Sequence, residues 1–243
     1  MTPPHAYTLL MSASSETIID FGGCHVIAVG ERSAARVIVV LLHGFQMEPA
    51  DLSPFAKSLR VPAWFLFPEA PLAASPRGRA WWHIDAKLRD QELARGPRDF
   101  AVQHPPDLPE ARACLGTFID AVLAEAGTCP VVVGGFSQGG MLTCDTLLRR
   151  PRPVAGVVLL SASRLAFDEW APFLAAGNVR DLPFLVSHGT ADPDLAFSAG
   201  DALKSCLAEA GAKVTWVPFD QGHEIPLVVW RGLRRFLQRI VAT

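Results

Sequence analysis

The stretch VVVGGFSQGG, residues 131–140, decides the fold. Its first six residues, Val131–Phe136, are apolar or small and predict a buried β-strand, and the residues that follow it have the spacing of a helix. The pattern Gly-x-Ser-x-Gly lies between them, with Ser137 at its centre. So sharp a turn requires glycine at 135 and 139, where larger side chains would collide, and it exposes the serine at the carboxyl edge of the sheet. The stretch therefore predicts a nucleophile elbow.

Two other interpretations of this stretch have to be weighed. A serine in front of a helix can also serve as its N-cap, and that role stays open for Ser137. A phosphate-binding loop is excluded, because residues 131–140 contain neither G-K-[ST] nor G-x-G-x-x-G.

The rest of the chain alternates short β-branched runs with amphipathic segments, which predicts parallel strands joined by crossover helices, the α/β class. Two further runs, 17–21 and 25–29, flank Gly22-Gly23 and predict an antiparallel hairpin at the edge of the sheet. The predicted strands are Val37–Leu42, 63–67, Val131–Phe136, 154–160, 184–187 and 214–218. The predicted helices are 50–59, 109–126, 139–149, 197–210 and 227–241.

Two connections, 71–108 and 164–181, are too long for simple turns. Ordered loops of this length usually form binding surfaces. Neither is large enough for an independent domain, and no internal repeat is present, so one domain over 1–243 is expected.

Composition excludes several functions. Among 243 residues, 24 acidic side chains face 22 lysines and arginines, so no global attraction to nucleic acid is expected. No apolar stretch approaches the roughly 18 residues of a membrane span, so stable membrane insertion is not expected. The N-terminus lacks the pattern of a secretory signal, which favours the cytoplasm, and the preference for arginine and alanine suggests a bacterial source.

The five cysteines lack zinc-ligand spacing, and no metal is expected: Cys24, Cys114, Cys129, Cys144 and Cys206.

A serine hydroxyl becomes a good nucleophile only when a base takes its proton and a carboxylate orients that base. Asp192 lies in the loop after the predicted strand 184–187, and His223 follows the last predicted strand. The carboxyl ends of parallel strands share one edge of a sheet, so the three loops can meet. The sequence therefore predicts a triad of Ser137, Asp192 and His223.

Each partner of the serine has a competitor. Asp194 is the nearest alternative acid, but Asp192 follows the strand more directly. His43 and His188 are alternative bases, each followed by glycine at a strand end. Both precede the acid in the chain, and the order Ser, Asp, His favours His223.

Acyl transfer also requires donors for an oxyanion. The amide of Gln138 lies at a helix N-terminus, where unpaired N–H groups favour negative charge. The second predicted donor is the amide of Phe45, in the loop after Val37–Leu42. The alternative is that His43-Gly44 only makes a tight turn.

With these motifs, the sequence resembles the phospholipase/carboxylesterase family of α/β-hydrolases, which includes the acyl-protein thioesterases. The resemblance implies an α/β-hydrolase fold without a lid domain and a serine esterase that cleaves small-molecule esters or thioesters through an acyl-enzyme, without a cofactor. The segments after His43-Gly44 and after Asp192-Pro193 depart from the family pattern. The resemblance is carried by Leu42-His43-Gly44, Phe67-Pro68-Glu69-Ala70-Pro71, Arg79-Ala80-Trp81-Trp82, Gly135-Phe136-Ser137-Gln138-Gly139-Gly140, His188-Gly189-Thr190-Ala191-Asp192-Pro193 and Gly222-His223-Glu224-Ile225.

Apolar loop residues are candidates for a substrate pocket, although packing inside the protein explains each of them equally well. They are Trp81, Trp82, Leu165, Phe173 and Leu195. Arg77 and Arg79 are weaker candidates for contact with an anionic group.

Peptide or lactone hydrolysis on the same triad, and a catalytically inactive binding protein of this fold, are the alternative functions. A homodimer is compatible with the sequence, which fixes no oligomeric state.

Overall fold

The computed structural model describes residues 16–74 and 78–242. The elements are, in chain order, β1 (Glu16–Phe21), β2 (Cys24–Val29), β3 (Val37–Leu42), α1 (Ser53–Leu59), β4 (Ala63–Pro68), β5 (Leu72–Ala73), β6 (Arg79–Ala80), α2 (Ala86–Leu93), α3 (Leu108–Ala126), β7 (Val131–Phe136), α4 (Gln138–Arg149), β8 (Gly156–Leu160), α5 (Phe167–Ala175), β9 (Pro183–Gly189), α6 (Phe197–Glu209), β10 (Lys213–Phe219) and α7 (Leu227–Ala242). The first 12 residues and Arg77, which entered the sequence predictions, lie outside the described residues.

Eight of the strands form one sheet in the order β1-β2-β4-β3-β7-β8-β9-β10. The strands β3, β4 and β7 to β10 are parallel, whereas β2 runs antiparallel to both β1 and β4. The remaining two strands, β5 and β6, form a separate antiparallel ribbon. The predicted α/β class and the edge hairpin are therefore confirmed.

Both faces of the sheet are covered by helices. All six residues of β3 are buried, and successive side chains contact opposite faces. Val37, Val39 and Leu41 pack in the core that includes residues of α1 and α7. The alternate residues of the strand pack in the core that includes residues of α3, α4 and α6. A continuous aliphatic run is what a strand covered on both faces requires.

The two long connections contain helices that the sequence pattern did not predict. Helix α2 lies within 71–108 and has no buried residue, so it lacks the apolar periodicity that identifies a helix. Its start is fixed instead by Asp85, whose side chain accepts a hydrogen bond from the Leu88 amide at 2.8 Å. Helix α5 lies within 164–181 and contains Pro172, a residue that normally argues against a helix.

Among the described residues, no helix is both long enough and apolar enough to span a bilayer.

Candidate active site

Ser137 lies at the sharp turn between β7 and α4. Its backbone has φ 52° and ψ −117°, a conformation that costs free energy for any residue other than glycine. A Cβ on Gly135 would come within 2.5 Å of the Gly139 carbonyl carbon, and one on Gly139 within 2.6 Å of the His43 carbonyl oxygen. The two glycines of the motif are thus required by close packing of the main chain.

The three side chains predicted to act together are in contact. The Oγ of Ser137 lies 2.9 Å from Nε2 of His223, and Nδ1 of His223 lies 2.6 Å from Oδ2 of Asp192. The imidazole also packs on the ring of Phe136, with ring centroids 4.8 Å apart. The carboxylate of Asp192 is buried, whereas the His223 side chain keeps 17% of its exposure. This arrangement can pass a proton from the serine to the imidazole.

Asp192 is held by its own loop. Its Oδ1 accepts hydrogen bonds from the amides of Asp194 at 2.8 Å and Leu195 at 2.9 Å. The other oxygen is thereby left for the histidine. Both carboxylate oxygens are engaged, which fixes the orientation of the group.

Asp194, the alternative acid, binds arginines instead. Its Oδ2 accepts a hydrogen bond from Arg89 at 2.6 Å, and its Oδ1 accepts from Arg98. Burial opposes ionisation of Asp194, but the hydrogen bonds from Arg98 and Arg89 outweigh it and lower the pKa of this carboxyl below its usual value. The structure therefore brings Asp192, not Asp194, to the histidine.

The two alternative bases are buried away from the serine. Nδ1 of His43 donates to the Gly44 carbonyl at 2.8 Å, and Nε2 accepts from the Ala70 amide at 3.1 Å. Burial lowers the pKa of His43 to about 4. Burial also lowers the pKa of His188, whose Nε2 donates to the Leu195 carbonyl at 3.0 Å. Both rings are occupied by structural hydrogen bonds.

The two predicted oxyanion donors border the same cavity as Ser137. Phe45, Gln138, Ser137 and His223 all line a cavity of about 260 Å³. Gln138 is the first residue of α4, where an amide has no acceptor inside the helix. Both residues therefore lie where their amides could meet a substrate carbonyl.

The side chain of Gln138 has a role that the sequence pattern did not indicate. It is buried, its Oε1 accepts from the Trp81 amide at 2.8 Å, and its Nε2 donates to the Trp82 carbonyl at 2.9 Å. The indole N–H of Trp81 donates to the His43 carbonyl at 2.9 Å. The elbow and the 71–108 connection are joined by these contacts.

The predicted pocket residues divide into two groups. Leu195 lines the cavity beside Ser137, and Trp82 lines an adjoining cavity of about 240 Å³. Trp81 and Leu165 line neither of these cavities, and both are almost fully buried in the core. Phe173 contacts the guanidinium of Arg149 instead, with 5.6 Å between that group and the ring centroid.

One wall of the cavity beside Ser137 is charged, a feature that the sequence did not indicate. Arg89 and Arg98 line it together with Asp194, facing apolar residues such as Met141 and Leu195. Arg79, a predicted anion contact, instead donates to the Ala70 carbonyl at 2.9 Å. Within the described part of the chain, no group of three or more potential ligands could hold a metal ion.

A mostly parallel sheet with a serine at a strand-to-helix elbow, and an acid and a histidine on later loops, defines the class of the α/β-hydrolases. The comparisons narrow this class to one family. Residues 23–241 match the model of the phospholipase/carboxylesterase family. The chain belongs to this family, which confirms the predicted kind of enzyme, a hydrolase of carboxylic esters or thioesters.

Individual relatives agree with this assignment. Carboxylesterase SOBER1 from Arabidopsis thaliana is 31% identical over 213 residues, which cover 79% of this chain and 85% of the relative. Acyl-protein thioesterase 1 from Aspergillus fumigatus is 28% identical over 188 residues, or 73% and 76% of the two chains. The crystal structure of Zea mays acyl-protein thioesterase 2 superposes with a TM-score of 0.73, covering 89% of this chain and 98% of that one at 18% identity. This last similarity supports the fold alone.

Proposed function

We propose that the protein cleaves carboxylic esters or thioesters through an acyl-enzyme formed on Ser137, with His223 as the general base and Asp192 as the carboxylate that orients it. The observation that supports this most strongly is the continuous chain of hydrogen bonds from Ser137 Oγ through the imidazole to the buried Asp192 carboxylate. A nucleophile, its base and an orienting acid within hydrogen-bond reach are what nucleophilic catalysis requires.

In the first half of the reaction, Nε2 of His223 accepts the proton of Ser137 as Oγ attacks the substrate carbonyl carbon. Negative charge develops on the carbonyl oxygen, where the amides of Phe45 and Gln138 donate hydrogen bonds. The imidazolium is stabilised by Asp192, and its Nε2 proton passes to the departing alcohol or thiol. The bond to the leaving group breaks, and the acyl group stays on the serine.

In the second half, His223 takes a proton from water as the water oxygen attacks the acyl carbon, and then returns it to Ser137 as the acid leaves. These steps use only groups of this chain. We therefore expect hydrolysis to persist after exhaustive treatment with a chelator and without any added cofactor.

The substrates that fit the cavity are esters or thioesters with a small acyl or alcohol group. The relatives are named as a carboxylesterase and an acyl-protein thioesterase, and both ester and thioester carbonyls suit the same chemistry. We infer that an alkyl chain that outgrows the first cavity extends along Arg89 and Arg98, which border both cavities. Apolar groups against guanidinium groups remove water without replacing its hydrogen bonds. We therefore expect short acyl chains to react faster than long ones.

Two alternatives from the sequence are weaker. Peptide or lactone hydrolysis would use the same side chains, but no relative reported above is named for it. A catalytically inactive binding protein has no need of a serine, an imidazole and a buried carboxylate in hydrogen-bond contact.

One domain over 1–243, a cytoplasmic location and a bacterial source are kept as proposals from the sequence. A homodimer is compatible with the sequence.

The Ser137→Ala variant tests the proposal. Loss of a triad nucleophile can reduce turnover on the order of a millionfold. We expect that loss for p-nitrophenyl butyrate and for butyryl-CoA, with an unchanged circular dichroism spectrum. Ser161→Ala, which removes another buried serine at a strand end, is the matched control and should stay active. Near-normal turnover of a folded Ser137→Ala protein would overturn the assignment.

A further inference from the structure

Another cavity, apart from the two described above, lies between α3 and α4, at the end of α4 that is opposite to Ser137. It measures about 370 Å³, and four arginines line it: Arg112, Arg149, Arg150 and Arg152. We call it the arginine cavity. It shares no lining residue with the cavity at Ser137. Gln138 and Met141 in the first turn of α4 line the cavity at Ser137, whereas Thr146 and Arg149 near its end line the arginine cavity.

The arginines are held in place by two carboxylates. The buried Asp145 accepts from Nε of Arg112 at 2.6 Å and from Nε of Arg149 at 3.0 Å. Asp120 accepts from Nε of Arg152 at 2.7 Å and from Nη1 of Arg150 at 3.2 Å. Guanidinium groups bound through Nε keep their outer N–H donors in a fixed orientation.

Charge in this region is not balanced by these pairs. Four guanidinium groups meet Asp120 and Asp145, and Glu169, which pairs with Arg149, is the only further carboxylate bonded to them among the described residues. The terminal nitrogens of Arg112 and one terminal nitrogen of Arg150 have no hydrogen-bond partner within residues 16–74 and 78–242. Donors with a surplus of positive charge therefore border the cavity.

Two residues that line the arginine cavity indicate space for a ligand. Thr146, 2% exposed as a residue, lines the cavity, and its buried hydroxyl has no hydrogen-bond partner among the described residues. Gly116 has no side chain at a point where a Cβ would lie 2.8 Å from Nη2 of Arg152. The Arg152 guanidinium can thus lie flat against α3. A volume of this size is within the range of small-molecule sites.

The dipole of helix α4 accounts for part of this arrangement. Cations are favoured at the C-terminus of α4, where Arg149 and Arg150 lie. That explanation does not apply to Arg112, which lies near the start of α3. Nor does it explain the unpaired Thr146 hydroxyl.

We propose that the arginine cavity binds the phosphate group of a ligand. Three or more acceptor oxygens on one anion match donors that converge from several guanidinium groups, and arginine forks bind phosphate oxygens in pairs. Arg112 and Arg150 supply the outer donors, and Thr146 lines the same cavity. This site is separate from ester hydrolysis and does not depend on the function proposed above.

Calorimetric titration with sodium diphosphate, at constant ionic strength, tests the proposal. We expect saturable binding with one site per chain, at least tenfold weaker in Arg112→Gln/Arg150→Gln. The control Arg231→Gln/Arg235→Gln removes the same charge from the exposed surface of α7 and should bind within twofold of the unmodified protein. Arg150→Gln alone, at a side chain that is 72% exposed, should fold normally and give a smaller loss.

Two further arms define the ligand and the site. Co-sedimentation with phosphatidylcholine vesicles containing phosphatidic acid, compared with titration by glycerol 3-phosphate, distinguishes a lipid headgroup from a free phosphate ester. Hydrolysis of p-nitrophenyl butyrate should be the same with and without diphosphate. Absence of saturable binding, an equal loss in both double variants, or diphosphate binding that only competes with the ester would overturn the proposal.

Discussion

The elbow around Ser137 and the 71–108 connection that faces it are built from different contacts. In the elbow, main chain packs on main chain, so closely that a Cβ on Gly135 or Gly139 would lie 2.5 to 2.6 Å from main-chain atoms. The connection is held by side chains. Gln138 bonds to the main chain of Trp81 and Trp82, and Arg98 pairs with Asp194.

Because of this difference, we expect the elbow to determine catalysis and the 71–108 connection to determine which substrates react. The nucleophile lies between glycines whose main chain is closely packed, and a fixed nucleophile is what a near-attack geometry demands. The part of the connection that lines the cavity beside Ser137 is held by side-chain ion pairs such as that of Arg98 with Asp194. Substitutions in the elbow should therefore abolish turnover or folding, whereas substitutions in the connection should change which esters react.

The loop that carries Asp192 and Asp194 contacts both regions. Substitutions of these two residues should therefore show the largest difference in turnover. Asp192→Asn should reduce turnover by about ten-thousandfold, because the amide no longer holds the productive histidine tautomer. Asp194→Asn should lose far less, because its main-chain amide still donates to Asp192. Steady-state kinetics with p-nitrophenyl butyrate checks both. The reverse ranking would assign the acid role to Asp194.

Gly139→Ala tests the packing of the elbow. A Cβ here meets the main chain of Leu42 and His43, so we expect a loss of roughly 3 kcal/mol in the free energy of unfolding. Gly127→Ala is the control, because it adds a Cβ where nothing lies within 4 Å and strains only a backbone at φ +59°. That strain should cost about 1 kcal/mol, the lower end of the cost of a sparsely populated backbone conformation. Equal losses in urea unfolding would contradict the packing argument.

His43 links the two regions and should make stability depend on pH. Its pKa is lowered by burial from 6.5 to about 4, so below pH 6.5 the unfolded chain binds a proton that the native protein does not. The free energy of unfolding should therefore fall by about 3 kcal/mol as the pH falls from 6.5 to 4.

The His43→Gln variant should show a weaker pH dependence in urea unfolding at pH 7 and pH 4.5. Some dependence should remain, because burial also lowers the pKa of His188. An unchanged slope in the variant would show that His43 is not the group responsible.

Arg89→Met should give the smallest effect, a change in preference among esters. Removing this guanidinium from the wall should raise kcat/KM for p-nitrophenyl laurate relative to the butyrate by roughly tenfold. The control Arg95→Met alters an exposed arginine that does not line either cavity and should leave the ratio unchanged. If both variants or neither change the ratio, Arg89 does not limit chain length.

Local pattern was sufficient to predict the elbow and the parallel strands. Each depends on a short run whose residues contact one another, such as the glycines beside Ser137. The triad of Ser137, Asp192 and His223 was predicted instead from the order of the three residues in the chain and from the shared edge of parallel strands. The choice of Asp192 over Asp194 also agrees with the hydrogen bonds, since only the former contacts His223.

The contents of the long connections could not be predicted in the same way. Helix α2 has no buried residue, and Arg89 and Arg98 contact Asp194 more than 90 positions away in the chain. Trp81 and Leu165 are buried core residues that line neither cavity, and the Trp81 main chain is held by Gln138, 57 positions away in the chain. Long-range pairing of this kind leaves no periodic trace in the sequence.

The site of covalent labelling tests the central claim most directly. The active protein should be treated with a fluorophosphonate, which phosphonylates an activated serine with loss of fluoride, and the adduct located by peptide mass spectrometry. We predict one adduct per chain, on Ser137, with loss of ester hydrolysis in proportion to labelling. An adduct on a different residue, or full labelling of Ser137 with hydrolysis intact, would contradict an acyl-enzyme on this serine.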